Sequence, residues 1–303
     1  MIRPPYLKPG DTVMIVSTAR KVNKAEVKPA VDILESWGLQ VKFGKNLYKF
    51  QNQFSGSDEE RTADFQSALN NKNVHAVMFA RGGYGTVRII DRIDFRRFVK
   101  NPKWLIGYSD ITVIHSQVHK LGVETIHAPM PFNLSKLSAN CLSVLKDALF
   151  GQTLRYTSSK QQAVLEKLNR QGSAKGELVG GNLSILYSLS GTPSDIETKG
   201  KILFLEDLDE YLYHVDRMMM NLKRSGKLAD LAGLIVGGMA DMKDNEVPFG
   251  KTAEEIILDA VAEYAYPVLF GFPAGHIPNN YPLIFGREAM LKVTDKMELK
   301  FQS

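Results

Sequence analysis

With a single cysteine, Cys141, in 303 residues, the chain can form no internal disulfide and no cysteine-rich metal site. Long apolar runs are missing as well: nothing approaches the roughly 18 consecutive apolar residues that a membrane span needs. The opening MIRPPYLKPGDTV lacks the apolar stretch of a secretory signal, so the expected compartment is the cytoplasm, with no membrane partner. Dense Lys/Arg blocks with interleaved aromatics are absent, and 38 Lys and Arg against 33 Asp and Glu leave only +5. No nucleic-acid partner is expected on that balance. Internal repeats and low-complexity tracts are also lacking, which removes solenoids and disordered tails.

What remains is the composition of a globular chain, 44% hydrophobic and 23% charged, long enough for two cores of ordinary domain size. The first half alternates strand and helix patterns, as a parallel sheet with helices on its faces requires. DTVMIVST (11–18) is a compact apolar run, and Val27, Val31 and Leu34 then recur at helical spacing before Gly38. Ser57 and Glu60 in SDEE have capping-box spacing and predict a helix to about Asn70. VHAVMFA (74–80) reads as a strand ending in RGGYG, and KWLIGY as one ending at Ser109, followed by helical periodicity from 110 to 121. The pattern weakens between 151 and 174, the predicted linker. Beyond it come more glycine, shorter strands, two helices and a closing hairpin-like pair, AMLKV and MELKF. The expectation is an N-terminal parallel-sheet α/β domain over 1–150 and a smaller β-rich, barrel-like domain over 175–303.

Loops at the carboxyl ends of parallel strands gather along one edge, where ligands bind. Two such loops are unusual here: RGGYG after Phe79 and GYSD after Ile106. If their strands are neighbours, Ser109 faces Gly82 and Gly83. Glycines let backbone N–H groups approach a ligand closely, as in an oxyanion hole or a phosphate cradle, although RGGYG also suits a tight turn. It matches neither the P-loop pattern nor the dinucleotide fingerprint. Ser109 can be a nucleophile or the cap of the next helix: Gly107 matches the first glycine of the hydrolase elbow, but Ile111 replaces the second.

A nucleophilic serine needs a base. Of the six histidines, five fall on regular strands and helices or in their near flanks, whereas His276 lies among glycines and prolines in GFPAGHIPNN, a composition suited to a rigid loop. Glu206 ends the apolar strand KILFLE, with Asp207, Asp209 and Glu210 as competing acids. Ser109, His276 and Glu206 could therefore form a relay of hydroxyl, imidazole and acid, whose chain order is chemically unconstrained.

Taken together and in order, RGGYG, GYSD, GELVGGNLS, LFLED followed by DRMM, and GFPAGH resemble the LD-carboxypeptidase family of serine peptidases over nearly the whole chain. The resemblance implies a Rossmann-like or amidotransferase-like N-terminal domain joined to a C-terminal β-rich domain. It implies Ser109 as nucleophile, Glu206 as acid and His276 as base, with backbone N–H groups of Asp110 and of Gly83 or Gly82 as oxyanion donors. It further implies a cytoplasmic homodimer, with no metal and no cofactor, acting on murein tetrapeptides. A free terminal carboxylate on such a peptide calls for a cation, and Arg81 is the nearest in the motif, unless it is simply a surface arginine. A family branch that hydrolyses microcin C-type peptide–nucleotides is the alternative substrate class. A non-catalytic nucleotide or small-ligand binder using RGGYG is the alternative outside enzymes. One departure from the family pattern is VSTARKV (16–22), where APSG is common.

Overall fold

A computed structural model describes residues 1–157 and 165–302. It divides into two compact units, Met1–Gln152 with Pro278–Ile284, and Thr153–Ile277 with the chain from Phe285 onward.

The first unit is built on β1 (Thr12–Val16), β2 (Gln40–Phe43), β3 (Ala76–Phe79), β4 (Trp104–Gly107) and β5 (Thr125–His127). Their order is β2-β1-β3-β4-β5, and β11 (Leu283–Phe285) lies beyond β5. All pairings among β1 to β5 are parallel. β1, β3 and β4 are buried at every position, so they read as continuous apolar runs: a parallel strand covered on both faces has no polar side. The helices are α1 (Lys24–Ser36), α2 (Asp58–Asn70), α3 (Arg96–Lys100), α4 (Thr112–Lys120) and α5 (Ala139–Phe150). Capping boxes open α1 (Asn23 with Glu26) and α2 (Ser57 with Glu60), each satisfying N–H groups that have no partner inside the helix. Phe65 of α2 meets Phe79 and Phe95 edge-on, at centroid distances of 5.2 and 6.2 Å. Because β1 carries β2 on one side and β3 on the other, the chain reverses its winding there, and the carboxyl ends of β1 and β3 flank a switch-point crevice.

The second unit carries β6 (Arg155–Thr157), β7 (Gly172–Asn182), β8 (Ile202–Leu208), β9 (Gly233–Ala240), β10 (Val268–Leu269), β12 (Glu288–Val293) and β13 (Met297–Phe301). They pair in the order β10-β9-β8-β7-β12-β13-β6. The β7 to β10 half is parallel and the rest antiparallel. The β-rich domain is thus a mixed sheet that, among the described residues, runs from β10 to β6. Leu186, Met218, Leu222, Ile256 and Ile257 of α6 (Leu183–Ser188), α7 (Leu212–Arg224) and α8 (Ala253–Ala260) join Leu203, Leu205 and Leu234 of the sheet in one core. The predicted linker 151–174 supplies β6 and the start of β7 to this sheet, while its 158–164 portion lies outside the described residues. Among the described residues no helix is long and apolar enough to cross a membrane.

Phe65→Ala removes a fully buried ring that packs edge-on against Phe79 and Phe95. Urea denaturation followed by tryptophan fluorescence should show a loss of about 3–5 kcal/mol.

Candidate active site

Parallel pairing of β3 with β4, with Met78 opposite Ile106, brings the two unusual loops side by side. A Cβ at Gly82 would lie 2.9 Å from Ser109 Cβ and 3.1 Å from its Oγ, so only hydrogen fits there. Ser109 itself has φ +64°, a left-handed conformation that costs a non-glycine residue about 1–3 kcal/mol. The cause is local: β4 turns sharply into a 3₁₀ turn at Ser109–Ile111, and a side chain at Gly107 would meet Ile111 at 2.9 Å. Ser109 caps neither this turn nor α4, since Tyr108 and Ile111 hold those positions without a side-chain cap. A half-buried serine on a strained strand-to-helix turn has the form of a hydrolase elbow even though the second glycine is missing.

A polar network that the sequence did not reveal stands behind this turn. The buried Asp110 Oδ2 accepts the Thr86 N–H at 2.8 Å, and the Thr86 and Thr18 hydroxyls share a 2.8 Å bond. Arg61, 1% exposed, donates through one nitrogen to the carbonyls of Thr18 and Gly85 and through another to Asp58. Asp58 also takes Arg88 at 2.9 Å. These bonds tie the loops after β1, β3 and β4 to α2. Burial pushes the Asp110 carboxyl above its ordinary range, against the Thr86 hydrogen bonds that lower it.

In the second unit Glu206, fully buried near the end of β8, accepts His276 Nδ1 at 2.6 Å and the His276 N–H at 3.1 Å. Gly275, at φ +108°, lets the loop close on the acid: a Cβ there would stand 2.7 Å from Glu206 Cβ. Two bonds from one residue to one carboxylate oxygen fix the ring plane and direct Nε2 away from the acid. Burial alone would lower the His276 pKa, but the charge and hydrogen bond of Glu206, with the charge of Asp207, raise it above the ordinary histidine value. Asp207 has different partners. It accepts the Asn182 amide and the Ser184 N–H, each at 2.8 Å, at the start of α6. Burial and the adjacent Glu206 push Asp207 up to about 7, against bonds from Leu208, Asn182 and Ser184.

Arg81 follows β3 with its guanidinium 4.0 Å from the Phe132 ring centroid. The histidines set aside on sequence have structural settings: His115, held by Thr125 and the Gly107 carbonyl, is kept neutral by burial, with its pKa down to about 4. No group of three or more His, Cys, Asp or Glu among the described residues could hold a metal ion.

Comparison with known proteins gives this geometry a family. Models of the LD-carboxypeptidase N-terminal and C-terminal domains match residues 13–128 and 175–291. The chain belongs to the LD-carboxypeptidase family. It is 37% identical over 297 residues to the probable murein peptide carboxypeptidase of Bacillus subtilis (strain 168), covering 97% of this chain and 92% of that protein. The crystal structure of muramoyltetrapeptide carboxypeptidase from Oxalobacter formigenes matches 96% of this chain and 99% of its own, with TM-score 0.86 and 29% identity. MccF in complex with glutamyl sulfamoyl guanosine also matches with TM-score 0.86, covering 98% of each chain, but at 20% identity, and shares the fold. The protein is a serine-type carboxypeptidase built as a parallel-sheet α/β domain and a sheet-rich domain.

Gly82→Ala should displace the Ser109 turn, and a shift of about 1 Å at a reacting atom lowers turnover by about 10²-fold. Steady-state peptidase assays, with circular dichroism to show a retained fold, measure it.

Proposed function

We propose that this protein is an LD-carboxypeptidase that releases terminal D-alanine from murein tetrapeptides in peptidoglycan recycling, with Ser109, His276 and Glu206 as its triad. The observation that carries the triad is the pairing of a buried acid with His276 Nδ1 in one unit and a strained, glycine-flanked serine in the other. Support for the substrate comes from the murein peptide and muramoyltetrapeptide carboxypeptidases that the chain resembles along most of its length.

Ser109 Oγ gives its proton to His276 Nε2 while attacking the carbonyl carbon of the scissile amide. Glu206 holds Nδ1–H and stabilises the imidazolium that forms. The oxyanion is received by the N–H of Asp110, the second residue of a 3₁₀ turn and without an acceptor inside it, and by that of Gly83 or Gly82. The C–N bond then breaks as His276 returns the proton to the departing amine of D-alanine. Water, deprotonated by His276, releases the acyl group and restores Ser109. Arg81 is assigned to the terminal carboxylate, a group its planar guanidinium can bind through two parallel bonds. On the family likeness the enzyme works in the cytoplasm as a homodimer.

Ser109→Ala should abolish D-alanine release, read by mass spectrometry on purified tetrapeptide; normal turnover by this variant removes Ser109 from the mechanism. Parallel incubation with an aminoacyl sulfamoyl nucleotide tests the other substrate class, and its preferential hydrolysis would overturn the murein assignment.

Protonated His276 cannot accept the serine proton, so kcat/KM should fall with decreasing pH through an ionisation above the ordinary 6.5. Asp207→Asn removes a negative charge that favours the imidazolium, so the acid limb should move to lower pH. An unmoved limb in the pH–rate profile would show that Asp207 exerts no influence on the base.

A further inference from the structure

The switch-point crevice of the first unit holds a cleft of about 490 Å³ lined by Lys21 and Lys24 after β1, Tyr48 and Phe50 after β2, and Arg81 after β3. Its charge is one-sided. Most cations of the chain's surface networks face a carboxylate, as Arg88 does at Asp58 and Lys49 at Glu60. Among the described residues, Lys21, Lys24 and Arg81 have none; their recorded partners are rings. Lys21 Nζ lies 5.6 Å from the Phe50 centroid, Lys24 Nζ 5.9 Å from that of Tyr48, and Arg81 over Phe132. Glu26, the one acid in the lining, accepts the Asn23 N–H at 2.7 Å as part of the α1 capping box. Aromatic faces hold the ammonium groups in place without neutralising them, so they remain available to an anion. Phe50 is 75% exposed, a large apolar face left for something to cover.

The cleft also adjoins the serine turn. Arg81 precedes Gly82 in the chain, and the Arg20 N–H donates to the Gly82 carbonyl at 3.4 Å. A side chain at Gly83 would run into the Arg20 side chain at 2.6 Å. The segment from Arg20 to Lys24 thus runs from the glycine loop beside Ser109 into the cleft.

We propose that this cleft is a substrate subsite for a multiply carboxylated peptide, in which Lys21 and Lys24 pair with carboxylates other than the terminal one assigned to Arg81. The inference rests on the peptidase activity proposed above and deepens it. It makes internal carboxylates, and not only the scissile bond, a determinant of substrate choice. Exposed charge pairs of this kind are individually weak, so the effect belongs in KM and is sensitive to salt.

The test compares wild type with a Lys21→Ala/Lys24→Ala double variant on two substrates: a murein tetrapeptide with its internal carboxylates free, and the same tetrapeptide with those carboxylates amidated. For the free peptide the variant should raise KM about fivefold, in line with two such pairs lost, with kcat little changed and with the dependence of KM on NaCl flattened. For the amidated peptide the two proteins should have equal KM. An unchanged KM on the free peptide, or an equal rise on both peptides, overturns the subsite. If wild type cleaves neither peptide, it is the proposed activity that falls. The charge effect is then read by calorimetric binding of the free and amidated peptides to the same two proteins, where equal affinities overturn the subsite independently.

Discussion

Steric exclusion at Gly82 is the constraint on which the serine half of the molecule depends. The parallel register of β3 and β4 decides how close their following loops come, and at 2.9 Å from Ser109 Cβ there is no space for a side chain on the facing residue. That closeness brings the glycine loop up to the serine side chain, while the sharp turn after β4 holds Ser109 in a left-handed conformation. Such a conformation persists only when its surroundings over-determine it. The surroundings here are the packing of Ile111 against Gly107, the bond from Thr86 N–H to Asp110, and the buried Arg61 gripping the carbonyls of Thr18 and Gly85. Asp110 therefore has work for both its parts: the carboxylate fastens the glycine loop, and the backbone N–H remains at the open start of a 3₁₀ turn.

On the other unit the governing effect is electrostatic. Burying an imidazole disfavours its charged form, yet His276 is biased toward that form because Glu206 is buried with it and bonded to it twice. Two consecutive buried acids at the end of β8 divide the labour. Glu206 serves the histidine, while Asp207 binds the end of β7 and the beginning of α6, so the strand that presents the acid is anchored to the elements beside it. The register shift between β8 and β9 falls at these residues, and irregular pairing of this kind is a common means of re-aiming a side chain at the end of a strand.

Much of this was legible in the chain because it is local. The apolar runs of β1, β3 and β4, the Ser57 capping box and the β12–β13 hairpin each follow from a few adjacent residues. The isolation of His276 in a loop of glycine and proline pointed to a fixed imidazole, and the structure does hold it, by an acid 70 positions away. Arg61 was not legible. Its sequence setting is the charged opening of a capped helix, DEERTADF, and only the fold carries its guanidinium to carbonyls 43 and 24 residues distant. The stretch from 151 to 174 was read as a linker for the converse reason. β6 is short, with exposed residues on either side of Tyr156, and an edge strand paired with β13 on one side has too little apolar pattern to announce itself.

The position of the cationic cleft follows from the same topology that places the serine. In a sheet ordered β2-β1-β3-β4-β5 the crevice opens between the ends of β1 and β3, and the residue after β4 stands one strand to the side. The proposed binding groups and the proposed nucleophile then lie on different loops of one edge, so charge can vary along the first without disturbing the strained turn that carries the second. That separation suits an enzyme of this family, because uniform binding of a substrate's distant charges and stabilisation of its transition state are independent demands. Lys21 and Lys24 lie on a segment fastened to the glycine loop through a backbone bond from Arg20. In the proposed mechanism, an anion held by those lysines is therefore referenced to the same backbone that is proposed to receive the developing oxyanion, and a peptide anchored there would have its scissile carbonyl positioned by that loop.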